Sequence, residues 1–222
     1  VRIVVLLGAP GAGKGTHAPG LATAFGLIHL STGDLLRAEV RAGTPLGSEV
    51  AGIMGRGELV PDDIVIELLL GRLGQPDAAG GAILDGFPRT AAQAVALDRA
   101  LADRGAAVEV ALLIEVSPDE MVRRLTGRWI CEAGGHVYNV AAGLGPRVAG
   151  RCDVDGSSLV QRADDREETV RARLAGTLPA LEEVIEHYRA QGRLRTVDGR
   201  RTAPEVGAAL ADALQSAAGG DA

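Results

Sequence analysis

The sequence predicts a doubly wound α/β fold, and three features of the 222-residue chain carry that expectation. Short apolar runs alternate with longer segments of helical period. The first run ends in a glycine-rich loop that holds a lysine, and the loop leads straight into a helical segment. Alternation of this kind puts a parallel sheet between helices, with the ligand crevice beyond the carboxyl ends of its strands.

Five apolar runs read as buried parallel strands: Ile3 to Leu7, Ile28 to Leu30, Ala82 to Leu84, Val110 to Ile114 and Leu194 to Val197. Helical segments lie between them at Gly15 to Phe25, Asp62 to Leu73, Ala91 to Arg104, Pro118 to Thr126 and Glu167 to Arg189. A last helix, Ala203 to Leu214, sets Val206, Leu210 and Leu214 four apart on one face. Two stretches leave the alternation. Ser31 to Val60 is helical without a strand, and Gly127 to Asp165 is glycine-rich with short β signals such as His136-Val137-Tyr138. No internal repeat is present, and the small, polar tail from Ala217 to Ala222 is expected to fray.

Hydrophobic residues at 46% and charged residues at 23% exclude wholesale disorder and fibrous repeats. A net charge of -6 argues against nucleic-acid binding through bulk positive charge. No apolar run approaches the roughly 18 residues that span a bilayer. Val1 to Leu7 runs into the glycine loop with no cleavage pattern, so it reads as a strand and a cytoplasmic location is the default. The cysteines Cys131 and Cys152 read as reduced thiols or as remnants of a metal site.

Chemistry enters with Gly8-Ala9-Pro10-Gly11-Ala12-Gly13-Lys14-Gly15-Thr16, which follows a predicted strand and opens a predicted helix, the context a P-loop requires. Backbone N–H groups there approach phosphate oxygens, the helix N-terminus adds its dipole, and the lysine neutralises the outer phosphates. Gly11, Gly13 and Gly15 are each expected to be glycine for steric reasons. Lys14 is the sole lysine among 23 basic residues, so chance would put it in this loop about once in 23. A compact ammonium on a flexible stem suits a phosphate cradle as a planar guanidinium does not. Gly15 stands between Lys14 and Thr16, where the general pattern has a hydroxyl next to the lysine; magnesium is then expected to be held more through water. Asp85, ending a strand, is placed like the acid that organises magnesium in P-loop proteins.

Three further segments join the loop in order: Ser31-Thr32-Gly33-Asp34-Leu35-Leu36-Arg37, Leu59-Val60-Pro61-Asp62 and Asp85-Gly86-Phe87-Pro88-Arg89. With these motifs the chain resembles the adenylate kinases over nearly its whole length. The resemblance implies a P-loop kinase core at 1–30, 61–126 and 166–222, a helical AMP-binding excursion at 31–60 and a small β-containing lid at 127–165. It implies transfer of the terminal phosphoryl group of ATP to AMP, giving two ADP, by a cytoplasmic monomer that uses Mg2+ with ATP.

The implied AMP site takes in Thr32, Arg37, Glu58, Leu59, Val60, Gly86, Phe87, Pro88, Arg89 and Gln93. Arginine forks suit a phosphate, and Gln93 offers the donor and acceptor that reading an adenine edge requires. Arg124, Arg128, Arg162 and Arg173 match arginines that close over the phosphates, with Arg128 on the ATP side and Arg162 and Arg173 also reaching AMP. Arg162 and Arg173 would share a face if the stretch between them were mostly helical, and Asp164, Asp165, Glu167 and Glu168 offer them ordinary surface partners. Gly11 to Thr16, Val137, Tyr138 and Arg201 complete the ATP side.

Relatives often carry four zinc ligands in the lid. Here Cys131, Cys152 and Asp155 match but Gly134 takes the fourth place, so a structural zinc is not expected, although His136 stands two residues away. His17 replaces the usual glutamine, and Pro19 is expected to bend the first helix. Kinases directed to UMP or CMP, or using GTP, share much of this pattern; Thr32 and the long lid favour the adenylate form. A nucleotide-binding regulator without turnover is the reading from another class, and the arginine set weighs against it.

Overall fold

The computed structural model describes residues 1–55, 60–161 and 165–218. Its central sheet has five parallel strands in the order β2-β3-β1-β4-β8: β1 (Arg2–Leu7), β2 (Ile28–Ser31), β3 (Gly81–Asp85), β4 (Val108–Glu115) and β8 (Leu194–Asp198). All five are the apolar runs expected from the sequence. β1 lies at the centre, so both its faces are covered: Val4 and Leu6 pack into one core and Ile3, Val5 and Leu7 into the other. That double burial is why β1 reads as an unbroken apolar run and not as an alternating one.

The helices form two layers. α1 (Lys14–Phe25), α6 (Pro118–Thr126) and α8 (Ala203–Ala218) cover the first core, where Ala18, Leu21, Met121, Leu125, Val206, Leu210 and Leu214 meet. α4 (Asp62–Leu73) and α5 (Ala91–Ala102) cover the second through Val65, Leu69, Ala94, Leu97 and Leu101. The long α7 (Glu167–Ala190) serves both, with Val170 and Leu174 in the first and Val184, Ile185 and Tyr188 in the second. α1 runs through Pro19 without a break in helical assignment, although Pro19 supplies no N–H to the carbonyl one turn back.

The two excursions have the predicted character. α2 (Thr32–Ala42) and α3 (Pro45–Gly55) fill the first. The second holds β5 (Arg128–Cys131), β6 (Val137–Asn139) and β7 (Leu159–Val160), an antiparallel sheet in the order β6-β5-β7. From β1 the chain crosses to β2 on one side, and from β3 it crosses to β4 on the other. The loops leaving β1 and β3 therefore diverge and open a crevice at the carboxyl ends of the strands. No described helix is long and apolar enough to cross a membrane.

Candidate active site

The loop after β1 occupies one wall of that crevice. Gly11 has φ 85° and Gly13 φ 104°. A Cβ on Gly11 would also lie 2.9 Å from Leu125 Cγ, so both the backbone and its packing demand glycine there. Gly13 caps α1 in the left-handed conformation, and its carbonyl accepts from the Thr16 and His17 N–H groups at 3.0 and 3.3 Å. Gly15 differs from the expectation: its φ is not positive and a Cβ would meet nothing within 4 Å. The protein itself therefore gives no steric reason for glycine at that position.

Lys14 folds back along the loop, and its Nζ donates to the Gly8 carbonyl at 2.5 Å and the Ala9 carbonyl at 3.3 Å. Burial pushes its pKa below the usual lysine range; the Asp85 charge opposes that shift, while Arg89 and Arg173 reinforce it. One carboxylate and three cations from β3, the following turn, the loop and α7 thus share one electrostatic environment. Asp85 lies 3.4 Å from His29 Nε2, and its carbonyl accepts from Thr32 Oγ1 at 3.4 Å.

The turn after β3 forms the facing wall. Gly86 has φ 86°, and a Cβ there would come within 3.0 Å of Thr32 Oγ1. The Phe87–Pro88 peptide is cis. Arg89 Nε donates to the Gly86 carbonyl at 2.7 Å, which draws the guanidinium back over the turn. Gln93, only 4% exposed, accepts from the Arg89 N–H and donates to Asp62 Oδ1, both at 2.7 Å. Each end of the amide keeps the chemical capacity for one further bond. Thr32 and Val60 are buried beside this wall. Arg37 lies over Gly33 and is paired with Asp34 at 2.6 Å. Glu58, Leu59 and Arg162 lie outside the described residues.

The Adenylate kinase family model matches residues 6–193. The chain belongs to the adenylate kinase family. It is 47% identical to the adenylate kinase of Exiguobacterium sibiricum over 203 residues, 91% of this chain and 94% of that protein. The Thermodesulfovibrio yellowstonii adenylate kinase matches with the same identity and the same coverage. The Streptomyces griseus adenylate kinase is 44% identical over 214 residues, 96% of this chain and 97% of that protein.

For a member of this family the remaining arginines are distributed unevenly. Arg124 is anchored at both ends of its fork, with Nε on Glu120 at 2.8 Å and a terminal nitrogen on the Gly199 carbonyl at 2.7 Å. Its charge also lowers the pKa of His17, after burial, and so marks its nearness to the end of the P-loop. Arg128 makes a two-armed pair with Asp165, at 2.8 and 2.5 Å, and Asp165 is 0% exposed. This corrects the expectation of an ordinary surface role for Asp165: it is the buried partner of Arg128. Glu167, another expected surface partner, pairs with Arg171. α7 starts at Glu167 and carries Arg173, while Arg162, the other end of the expected spacing, lies outside the described residues.

In β6, Val137 is 64% exposed, whereas the Tyr138 hydroxyl turns toward Cys152 Sγ at 3.4 Å and accepts from the Asp153 N–H at 2.7 Å. Arg201 is exposed, and its charge acts on Asp198 and Glu205. In the segment 127–165, one ligand atom each of Cys131, His136, Cys152 and Asp155 lies within 4.8 Å of the others. Sequence reasoning missed His29 beside Asp85, Asp62 beneath Gln93, and Glu120 with Gly199 around Arg124. Asp62 alone had a signal, because it closes the Leu59-Val60-Pro61-Asp62 motif.

Proposed function

We propose that the crevice between the loops of β1 and β3 is where this adenylate kinase moves the terminal phosphoryl group of ATP onto AMP, giving two ADP. The observation that carries the assignment of residues is the convergence of Lys14, Asp85, Arg89 and Arg173 on one environment. Lys14 is desolvated there, and the negative charge of the transferring phosphoryl group would offset that cost.

In this reading Gly11, Ala12, Gly13, Lys14, Gly15 and Thr16 cradle the ATP phosphates, with Arg128, Val137, Tyr138 and Arg201 toward the adenosine. Thr32, Arg37, Val60, Gly86 to Arg89 and Gln93 bind AMP, together with Glu58 and Leu59. An AMP phosphate oxygen forms a bond to the γ-phosphorus while the bond to the β–γ bridging oxygen breaks, and the electron pair leaves with ADP. Positioning and charge neutralisation supply the catalysis, so no covalent intermediate on the protein is needed. Lys14, Arg89, Arg124, Arg162 and Arg173 stabilise the charge that develops on the transferring oxygens. Magnesium arriving with ATP fits the half-buried Asp85 carboxylate and the exposed Thr16 hydroxyl, through water, and would neutralise the β- and γ-phosphates.

The domain division follows from the same reading: core at 1–30, 61–126 and 166–222, AMP-binding segment at 31–60 and lid at 127–165, the last two closing to exclude water. Cytoplasmic location and a monomeric state are proposed as what the family leads one to expect. Lys14→Ala tests the central assignment. The variant should keep the wild-type circular dichroism and lose turnover by at least about a hundredfold, the scale of removing one preorganised charge donor. A folded variant with wild-type turnover would overturn the role of Lys14.

A further inference from the structure

Arg124 stands on the last turn of α6, and what it can do in the crevice depends on what fixes its guanidinium. A long side chain loses much rotamer freedom on being ordered, and an ion pair one turn back on an open helix face restrains it little. Here the face is not open: the side chains of Arg124 and Glu120 are 19% and 20% exposed. Glu120 Oε1 accepts from Arg124 Nε at 2.8 Å, and the Gly199 carbonyl accepts from Nη2 at 2.7 Å. Gly199 follows β8 and is itself fixed, since its N–H donates to the Glu115 carbonyl at the end of β4 at 2.8 Å.

Two of the guanidinium N–H groups are thus spoken for. Its other N–H groups make no hydrogen bond among the described residues. The pair on Nη1 and the second on Nη2 remain, an edge suited to two oxygens of a phosphate. The guanidinium is near the phosphate loop, because its charge acts on His17 in the first turn of α1.

Glu120 is held in turn. Arg123 grips its carboxylate with Nε on Oε2 at 2.6 Å and Nη2 on Oε1 at 2.7 Å, and Arg123 Nη1 donates to the Ala141 carbonyl. Hydrogen bonding from Arg123, then from Arg124, pushes the Glu120 carboxyl down to about 2, so it is an anion at neutral pH. Only a carboxylate serves all three N–H groups: a glutamine amide has one oxygen and would turn its own N–H groups toward one of the arginines.

We propose that Glu120 is a positioning residue for phosphoryl transfer, holding Arg124 between itself and the Gly199 carbonyl with the remaining edge of the guanidinium set for the ATP phosphates. The proposal rests on the assignment of Arg124 to those phosphates. Glu120 acts only through Arg124, and a cation oriented before ATP arrives needs no reorganisation during transfer.

The test compares turnover of ATP and AMP by the whole chain with Glu120→Gln, Arg124→Ala and both together. Glu120→Gln should keep the wild-type circular dichroism and lose turnover at least about tenfold, within the hundredfold that misplacing a group by about 1 Å can cost. In the Arg124→Ala background the same change should cost less than about twofold, because the residue it positions is gone. A loss of folded protein would instead lower turnover in both backgrounds. Nitrogen NMR of the wild-type Arg124 Nε–H, which depends on no variant, should show slow rotation about the Nε–Cζ bond. Wild-type turnover by Glu120→Gln beside an impaired Arg124→Ala would overturn the proposal and leave the role of Arg124 standing. An equal loss in both backgrounds, or a freely rotating guanidinium in the wild type, would overturn it too. Wild-type turnover by Arg124→Ala would remove the assignment on which it rests.

Discussion

Gly15 and Gly11 sit four residues apart and are glycine for different reasons. Gly11 is held to glycine by its own fold, through a positive φ and the approach of Leu125. Gly15 faces open space at the start of α1, so only a bound phosphate is left to exclude a side chain there. Gly15→Ala should therefore leave the melting temperature unchanged or slightly raised, since alanine in a helix is favoured over glycine by up to about 1 kcal/mol. The same variant should weaken ATP binding, measured by calorimetry. Wild-type ATP affinity would show that the methyl group meets no ligand. At this scale part of the candidate site was legible, because Lys14, Asp85 and Arg89 fall in the quoted motifs, while Gln93 lies four residues beyond the last of them. The partner of Arg128 was not legible: Asp165 belongs to a run of acidic residues, and nothing local distinguishes the one that the fold encloses.

α6 shows how an element presents a charged group. Ser117 caps its first turn, accepting from the Glu120 N–H at 3.4 Å, and Pro118 starts the helix. Glu120 then holds Arg123 and Arg124 together. Hydrogen bonding from Arg123, and next from Arg124, pushes its carboxyl down to about 2, against the opposing effect of burial. The folded value lies below the ordinary 4.5, so this contribution to stability is complete above that pH and is lost as pH falls through about 2. Glu120→Gln should thus have a flatter stability-against-pH curve between those limits, read from denaturant midpoints. A curve parallel to that of the wild type would refute the linkage. The helices themselves were legible from apolar spacing and caps, and the prediction for α8 held because Val206, Leu210 and Leu214 share its buried face. The tie from Arg124 to the Gly199 carbonyl joins segments 75 residues apart, beyond the reach of any local pattern.

At the scale of the whole molecule, the order of the sheet decides where chemistry is possible. Placing β1 between β3 and β4 brings the P-loop beside the turn after β3, and α7 adds Arg173 from the far end of the chain. Alternating apolar and helical segments predicted that a parallel sheet forms. Strand order is a matter of crossover connections and left no mark in any one segment. The central claim is that this crevice joins ATP to AMP and not to another monophosphate. The most direct test incubates the purified chain with magnesium, ATP and one of AMP, UMP, CMP or GMP, and measures the diphosphates formed. Rapid ADP production with AMP, dependent on magnesium and absent with the other acceptors, is the predicted result; faster phosphorylation of a pyrimidine monophosphate, or ATP binding with no transfer at all, would contradict it.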